Sequence, residues 1–417
     1  MDSDLEAIAV LEQLRADPAI WDRIPPGDSH SAALQAALRQ EYPPDVVRAA
    51  LTLAALRTQA RPRFTRAEAM WFDRIRLEQA TQEVVARHKA QRFAACAGQT
   101  VLDLCCGVGS DAIAIARQGV GEDETVAFRS AKERSFAERK ASVPITVRAV
   151  DMSPLATWYT QRNAEVYGVA SHIETLVSDV EKVDIAGQFV HLDPDRRTQG
   201  QRQVRLEFGS PGLPYLQALT KTAAGGAIKV SPASNFGGKF TDCEVELVSV
   251  HGECKEATIW FGQLRQASPF RATILPQGFS IAGDPWDYRP RLVPSVLNYL
   301  FDPDPAVVRA GLVDRVGESL GLWRLDDAEE YLTGDTLVDS PFVRGFEVLA
   351  DLTNNTKEIR DYFRTSPFGQ VEIKCRHMSI DADAIRRKLP LPGNEPGVLL
   401  FARVAGKARA IIARRCG

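Results

Sequence analysis

The stretch Thr100-Val101-Leu102-Asp103-Leu104 followed by Cys105-Cys106-Gly107-Val108-Gly109-Ser110-Asp111 constrains this chain more than any other. An apolar run ends in a turn carrying two glycines, and an apolar helix pattern from Ala112 to Arg117 opens directly behind it. A strand that feeds a helix through a short glycine-rich turn is the first half of a βαβ unit. The alternation then continues, with strands expected near 145–150, 173–177, 189–192, 227–230 and 258–264, and helices over 153–167 and 214–223. Strands alternating with helices predict an α/β fold built on a doubly wound, mostly parallel sheet.

The flanking regions differ from this core. Leu5, Ile8, Leu11 and Leu14, then Val46, Val47, Ala50, Leu51 and Leu53, recur at helical spacing, so residues 1–66 read as a helical N-terminal cap. A further helix is expected from about 66 to 93, and the α/β domain occupies 67–265. Residues 266–354 form a connecting acidic region; within 301–356, twelve acidic residues stand against four arginines, a net of −8. Residues 355–417 read as a small basic α+β domain, with strands at 370–376, 398–404 and 408–413 and a helix at 381–388. Over 357–417 the balance is thirteen Lys and Arg to six Asp and Glu, a net of +7. A length of 417 residues accommodates such a division. The whole chain carries a net charge of −3, which excludes a global positive field for nonspecific nucleic-acid binding but not a local basic patch. The acidic N-terminus lacks a signal-peptide core and no apolar run is long enough to span a membrane. The seven scattered cysteines match no zinc spacing and read as reduced thiols, so the expectation is a cytoplasmic protein without a metal.

The end of each strand carries a polar signal. Gly107 and Gly109 let the backbone approach a ligand where a Cβ would clash, and Asp103 at the carboxyl end of the first strand suits a cationic group. The pattern lacks the G-x-G-x-x-G of a nicotinamide or flavin site. Asp151, at the end of the second strand, can accept hydrogen bonds from both ribose hydroxyls. Met152 can lie on an adenine face, and Asp179 after the third strand can receive an adenine amino group. Together these residues predict a nucleoside-containing cofactor.

On these residues the chain resembles a class I S-adenosylmethionine-dependent methyltransferase over about residues 68–265. It is most similar to the trimethylguanosine synthase-like group, through Val101 to Gly109 and Arg162-Asn163-Ala164-Glu165-Val166-Tyr167-Gly168-Val169. The 77–93 helix, the run Asp193-Pro194-Asp195-Arg196-Arg197 and the basic tail resemble a bacterial subgroup with a C-terminal THUMP-like domain. The resemblance implies a seven-stranded sheet and S-adenosylmethionine held by Thr81, Asp103, Cys105, Gly107, Gly109, Asp111, Asp151, Met152 and Asp179. It also implies an RNA substrate. Two departures stand out. Cys105 replaces the first glycine of the common D-x-G-x-G, and 48 residues separate Asp103 from Asp151, where about 20 is usual. The excess reads as an insertion over 121–144.

The chemistry is expected at the end of the fourth strand. Amino-methyltransferases of this fold carry an acidic or amide residue, two prolines and an aromatic there. Asp193 fits the first role and Pro194 the rigid turn, while Asp195 replaces the second proline and Arg196 the aromatic. Asp193, Pro194 and Asp195 are therefore the catalytic candidates. Arg196, Arg197 and Arg202 are candidates for stacking on a base or meeting phosphate, as are Arg386, Arg387 and Lys388 in the tail. His191 reads as a satisfied strand residue. The expected activity is methyl transfer to a base amine in RNA, with guanine N2 as the guess. The alternatives are a protein or small-molecule methyltransferase, or a non-catalytic S-adenosylmethionine-binding RNA module.

Overall fold

The computed structural model describes residues 2–25, 31–118, 143–195, 197–198, 201–202 and 205–416. The expected insertion at 121–144 lies almost entirely outside them. The large sheet contains β1 (Thr100–Leu104), β2 (Thr146–Asp151), β3 (Ile173–Val177), β4 (Phe189–Leu192), β5 (Gly225–Val230), β6 (Glu244–Val250), β7 (Glu253–Gly262), β8 (Phe270–Leu275) and β9 (Phe279–Gly283). Their order is β9-β8-β6-β7-β5-β4-β1-β2-β3. The run β3-β2-β1-β4-β5 is parallel throughout. From β1 the chain moves outward to β2 and β3, then returns to β4 on the other side. The carboxyl ends of β1 and β4 therefore flank the point where the winding reverses, which is where open α/β sheets bind ligands.

The sheet has nine strands rather than the seven expected. β8 and β9 form an antiparallel hairpin beyond residue 265, with β8 parallel to β6. The strand over 244–250 is likewise absent from the expected set. Glu244 and Glu246, both fully buried in β6, break the apolar run that signals a strand buried on both faces.

The chain divides into two compact units, Met1–Cys243 with Thr258–Gln266, and Glu244–Ala257 with Ala267–Gly417. In the first, the cap comprises α1 (Asp2–Ala16), α2 (Ala19–Asp22), α3 (Ala32–Leu38) and α4 (Pro44–Ala60). Leu11 and Leu14 of α1 and Val46, Val47, Ala50 and Leu53 of α4 are buried in one cluster that continues into the sheet. The expected helix over 66–93 is broken into α5 (Arg74–Gln79) and α6 (Glu83–Phe93). Asp73 caps α5 by accepting from Arg76 N at 2.8 Å, and Ala80 leaves helical geometry at ψ 138°. The guanidinium of Arg63 donates to the carbonyls of Leu77 and Ala80 that the break exposes. The core of this unit is completed by α7 (Ser110–Ala116), α8 (Pro154–Val166) and α9 (Leu213–Thr222).

The second unit carries a seven-stranded sheet: β10 (Tyr299–Pro303), β11 (Trp323–Arg324), β12 (Leu332–Gly334), β13 (Val343–Thr353), β14 (Phe368–Cys375), β15 (Glu395–Val404) and β16 (Lys407–Arg415), in the order β11-β12-β10-β13-β16-β15-β14. Helices α10 (Pro305–Arg309), α11 (Val313–Leu320), α12 (Thr356–Arg364) and α13 (Ala382–Lys388) belong to this unit. The expected boundary at 354/355 does not divide this sheet, because β13 from the acidic region pairs with β16 of the basic tail. Opposite charge accompanies the pairing: Lys374 and Arg376 meet Asp302 at 2.9 and 2.6 Å, and Arg409 meets Asp351 at 2.8 Å.

Candidate active site

The glycine turn leaves β1 with three residues in the left-handed region, Cys105 at φ 61°, Gly107 at 58° and Gly109 at 82°. The two glycines serve different ends. A Cβ on Gly109 would meet Thr160 of α8 at 2.9 Å, so this glycine permits close packing of the turn on the helix. A Cβ on Gly107 would meet nothing within 4 Å, so its surroundings are open. The carboxylate of Asp151 shapes the turn, accepting from Gly107 N at 3.1 Å and from Ser153 N at 3.0 Å. Asn163, fully buried in α8, holds it from behind by donating to the carbonyls of Val108 and Trp71, both at 2.9 Å.

Beneath the turn lies a buried polar chain. Asp103 Oδ1 is 2.6 Å from His191 Nδ1. The far nitrogen of His191 is 3.3 Å from Lys89 Nζ and 3.8 Å from Asp111 Oδ1. Lys89 in turn sits 2.9 Å from Asp111 Oδ1, while Thr81 Oγ1 donates to Asp111 Oδ2 at 2.7 Å. All five side chains are buried. Burial raises the Asp103 carboxyl above its ordinary range, against the opposing hydrogen bond from His191. Burial opposes charge on Asp111 too, but Lys89 and then His191 hold that carboxyl well below its usual range. His191 is displaced upward, since Asp111 and Asp103 outweigh the burial that would lower it. Two carboxylate oxygens of this polar chain accept no hydrogen bond among the described residues; Asp111 Oδ1 faces the Lys89 ammonium at 2.9 Å, and the other lies on Asp103. Asp103 Oδ2 is buried with no hydrogen-bond partner among the described residues, an acceptor that suits a bound cation.

Across the switch point, Asp193 follows β4, its backbone N donating to Leu104 O at 3.2 Å. Its Oδ2 lies 2.6 Å from Nζ of Lys229, which projects from the fully buried strand β5 and also donates to Gln79 O at 3.1 Å. Gln79 Nε2 donates to Asp195 Oδ1 at 3.1 Å. Gln79 at the end of α5 and Thr81 in the break between α5 and α6 thus tie the Asp193 turn and, through Asp111, the glycine turn.

Asp103 and Asp151 stand at the carboxyl ends of β1 and β2, and Asp179 and Asp193 follow the ends of β3 and β4. Met152 is 67% exposed, and half-buried Asp179 accepts from Glu181 N at 3.0 Å. Pro194 is buried and Asp195 exposed. Arg196 lies outside the described residues; Arg197 and Arg202 fall in a two-stranded ribbon whose side chains are likewise outside them. Arg386, Arg387 and Lys388 are exposed in the last turn of α13 in the second unit, where Arg386 pairs with Asp383 at 2.7 Å. Sequence reasoning misses Lys89, Lys229 and the Gln79 side chain. It places His191 in the interior, where it is 1% exposed, but not beside Asp103. Among the described residues no group of three or more His, Cys, Asp or Glu is placed to hold a metal ion.

The doubly wound sheet, with the open turn at Gly107 beside its switch point, places the chain among α/β folds that bind ligands at the carboxyl ends of their strands. Comparison with known proteins narrows this class. Proteins from two strains of Mycobacterium tuberculosis, each named an uncharacterised S-adenosylmethionine-dependent methyltransferase, are 32% identical over 351 residues, covering 82% of this chain and 87% of theirs. The chain belongs to this family of S-adenosylmethionine-dependent methyltransferases. A crystal structure from Porphyromonas gingivalis W83, described as that of a candidate methyltransferase, shares the fold with a TM-score of 0.73 at 16% identity. The match covers 99% of this chain and 98% of that one. Residues 343–415, which hold β13 to β16, match the THUMP domain-like family.

Proposed function

We propose that this methyltransferase modifies a base amine in RNA, with guanine N2 as the acceptor atom, at the Asp193-Pro194-Asp195 turn. The observation that supports the reading is the placement of Asp193 directly after β4 at the switch point, its backbone N on Leu104 O of β1 at 3.2 Å. The cofactor supplies a sulfonium-bound methyl group for direct displacement. In this reading Asp103 and the Gly107–Gly109 turn hold its methionine part, with Cys105, Thr81 and Asp111 shaping that cradle. Asp151 takes the ribose hydroxyls on its remaining lone pairs, and Met152 and Asp179 meet the adenine. Asp193 Oδ1 accepts an N–H of the target amine, aiming the nitrogen lone pair along the line of attack; positioning of this kind supplies much of the catalysis in a displacement. The N–C bond forms as the C–S bond breaks, the electron pair stays on sulfur, and the amine proton passes to Asp193 or solvent. Arg196, Arg197 and Arg202 are the proposed RNA contacts beside this turn, with Arg386, Arg387 and Lys388 on the second unit. The THUMP domain-like match supports RNA as the substrate.

One observation favours a second reading, a protein or small-molecule acceptor. Lys374, Arg376, Arg409, Arg414 and Arg415 all face acidic partners within the second unit, which leaves less of the tail's charge for phosphate. Methyl transfer from radiolabelled S-adenosylmethionine to total RNA and total protein from cells lacking the gene separates the two. Label in RNA, abolished by Asp193→Ala, is the expected result; label in protein alone refutes the RNA reading.

A further inference from the structure

An ammonium buried in the middle of a β-strand is costly unless a partner offsets the lost hydration. Lys229 is such a group. It is 6% exposed and occupies the fifth position of a strand buried at all six residues. No structural neighbour in the apolar run Ala227-Ile228-Lys229-Val230 calls for a cation. What Lys229 reaches is the proposed reaction turn: Nζ lies 2.6 Å from Asp193 Oδ2 and 3.1 Å from the Gln79 carbonyl.

We propose that Lys229 is the positioning residue of the methyl-transfer site: it pins one oxygen of Asp193, leaves the other to accept an N–H, and selects an uncharged amine as the acceptor. The inference rests on the assignment of Asp193 as the acceptor of the target amine. Pinning Oδ2 removes the carboxylate's freedom to rotate. Among the described residues only Oδ1 then remains to meet a substrate. The selectivity follows from charge. A lone carboxylate at this turn would attract the cationic side chain of a lysine or arginine in a protein substrate. Pairing with Lys229 offsets the charge of Asp193 itself, so this carboxylate holds a neutral amino group by its hydrogen bond rather than by recruiting a cation. Gln79 joins the device at two points, its carbonyl receiving Lys229 and its side-chain amide donating to Asp195 at 3.1 Å. Segment 79–81 thereby sets the height of the turn relative to the glycine loop.

The test compares the full-length wild type, Lys229→Met and Lys229→Arg. Lys229→Met removes the cation at similar volume, and Lys229→Arg keeps a cation should the methionine variant fail to fold. Three readouts are taken: S-adenosylmethionine affinity by calorimetry, the rate of transfer to total RNA at saturating cofactor, and crystal structures with S-adenosylhomocysteine. The expectation is cofactor affinity within about twofold of wild type, but a turnover loss on the order of 100-fold in Lys229→Met, the penalty of misplacing a reacting group by about 1 Å. Lys229→Arg should recover part of the rate. In the Lys229→Met crystal the Asp193 carboxylate should leave its wild-type rotamer. Undiminished turnover, or an Asp193 carboxylate unmoved in the crystal, overturns the proposal. If the wild type labels no RNA, the RNA reading falls by itself, and the position of the Asp193 carboxylate still decides the role of Lys229.

Discussion

Gly107 and Gly109 sit two residues apart in one turn, yet the structure assigns them separable penalties. Both have φ in the left-handed region, where an alanine costs about 1–2 kcal/mol. The reduced freedom of the unfolded chain returns about 0.4–1 kcal/mol. Gly107→Ala meets no atom within 4 Å, so its net stability cost is about 1 kcal/mol. Gly109→Ala places its Cβ 2.9 Å from Thr160 Cγ2 and 3.1 Å from Thr160 Cα. The second of these is helix backbone and cannot swing aside, which adds about 1–3 kcal/mol of overpacking. Binding should show the opposite order. If the open space at Gly107 receives the cofactor, as proposed, Gly107→Ala should lose tenfold or more in affinity, at least about 1.4 kcal/mol. Denaturant unfolding and calorimetric titration with S-adenosylmethionine measure the two quantities on the same samples. Wild-type affinity in Gly107→Ala would refute the assignment of this turn as the cofactor cradle, whatever the variant's stability.

Three further outcomes follow from the site. Asp151→Ala should weaken S-adenosylmethionine binding by about 1.5–3 kcal/mol, as for lost hydrogen bonds to a charged group, and unchanged calorimetric affinity would count against its ribose role. His191 has a raised folded pKa, so the stability it contributes is fully present below its unfolded value of about 6.5 and is lost as pH rises through the raised value. The stability difference between wild type and His191→Gln should therefore shrink as pH rises above about 6.5 and through the raised value, and a pH-independent difference would contradict the pairing with Asp111 and Asp103. Replacing Arg386, Arg387 and Lys388 by alanine should flatten the salt dependence of RNA binding, by about 0.7 in the logarithmic slope for each single-strand phosphate no longer neutralised; an unaltered slope removes that face from the interface.

The parts of the site visible in the sequence are those fixed by backbone geometry. Strands at 173–177 and 189–192 are legible to the residue for different reasons: 189–192, buried at all four positions, reads as a short apolar run, whereas 173–177 is an edge strand buried only at Ile173 and is marked by its β-forming residues. Gly107, Gly109, Asp103, Asp151 and Asp193 are legible because each must stand at a strand's carboxyl end for the fold to bind anything there. The charged partners are not. Lys89 and His191 are 102 residues apart, and Lys229 meets Asp193 across 36. Pairings of that range belong to the tertiary structure. A signal does exist, since a lysine inside the apolar run 227–230 has to be paired to be buried. The break at residue 80 is hidden for another reason. Its exposed carbonyls are satisfied by Arg63, from a segment that reads as part of the cap's end, and no proline or glycine marks the spot. Finally, the net charges of the acidic region and the basic tail suggest separate domains, whereas strand pairing between β13 and β16 joins them in one sheet.

The proposed reaction is methylation of a base amine in RNA at the Asp193 turn. Its most direct test is the nucleoside content of RNA from cells that lack the gene, after complementation with the wild type or with Asp193→Ala, read by mass spectrometry after complete digestion. One N-methylated nucleoside, N2-methylguanosine, should disappear with the gene and return only with the wild type. Identical nucleoside profiles in all strains, from a protein that binds S-adenosylmethionine normally, would contradict it.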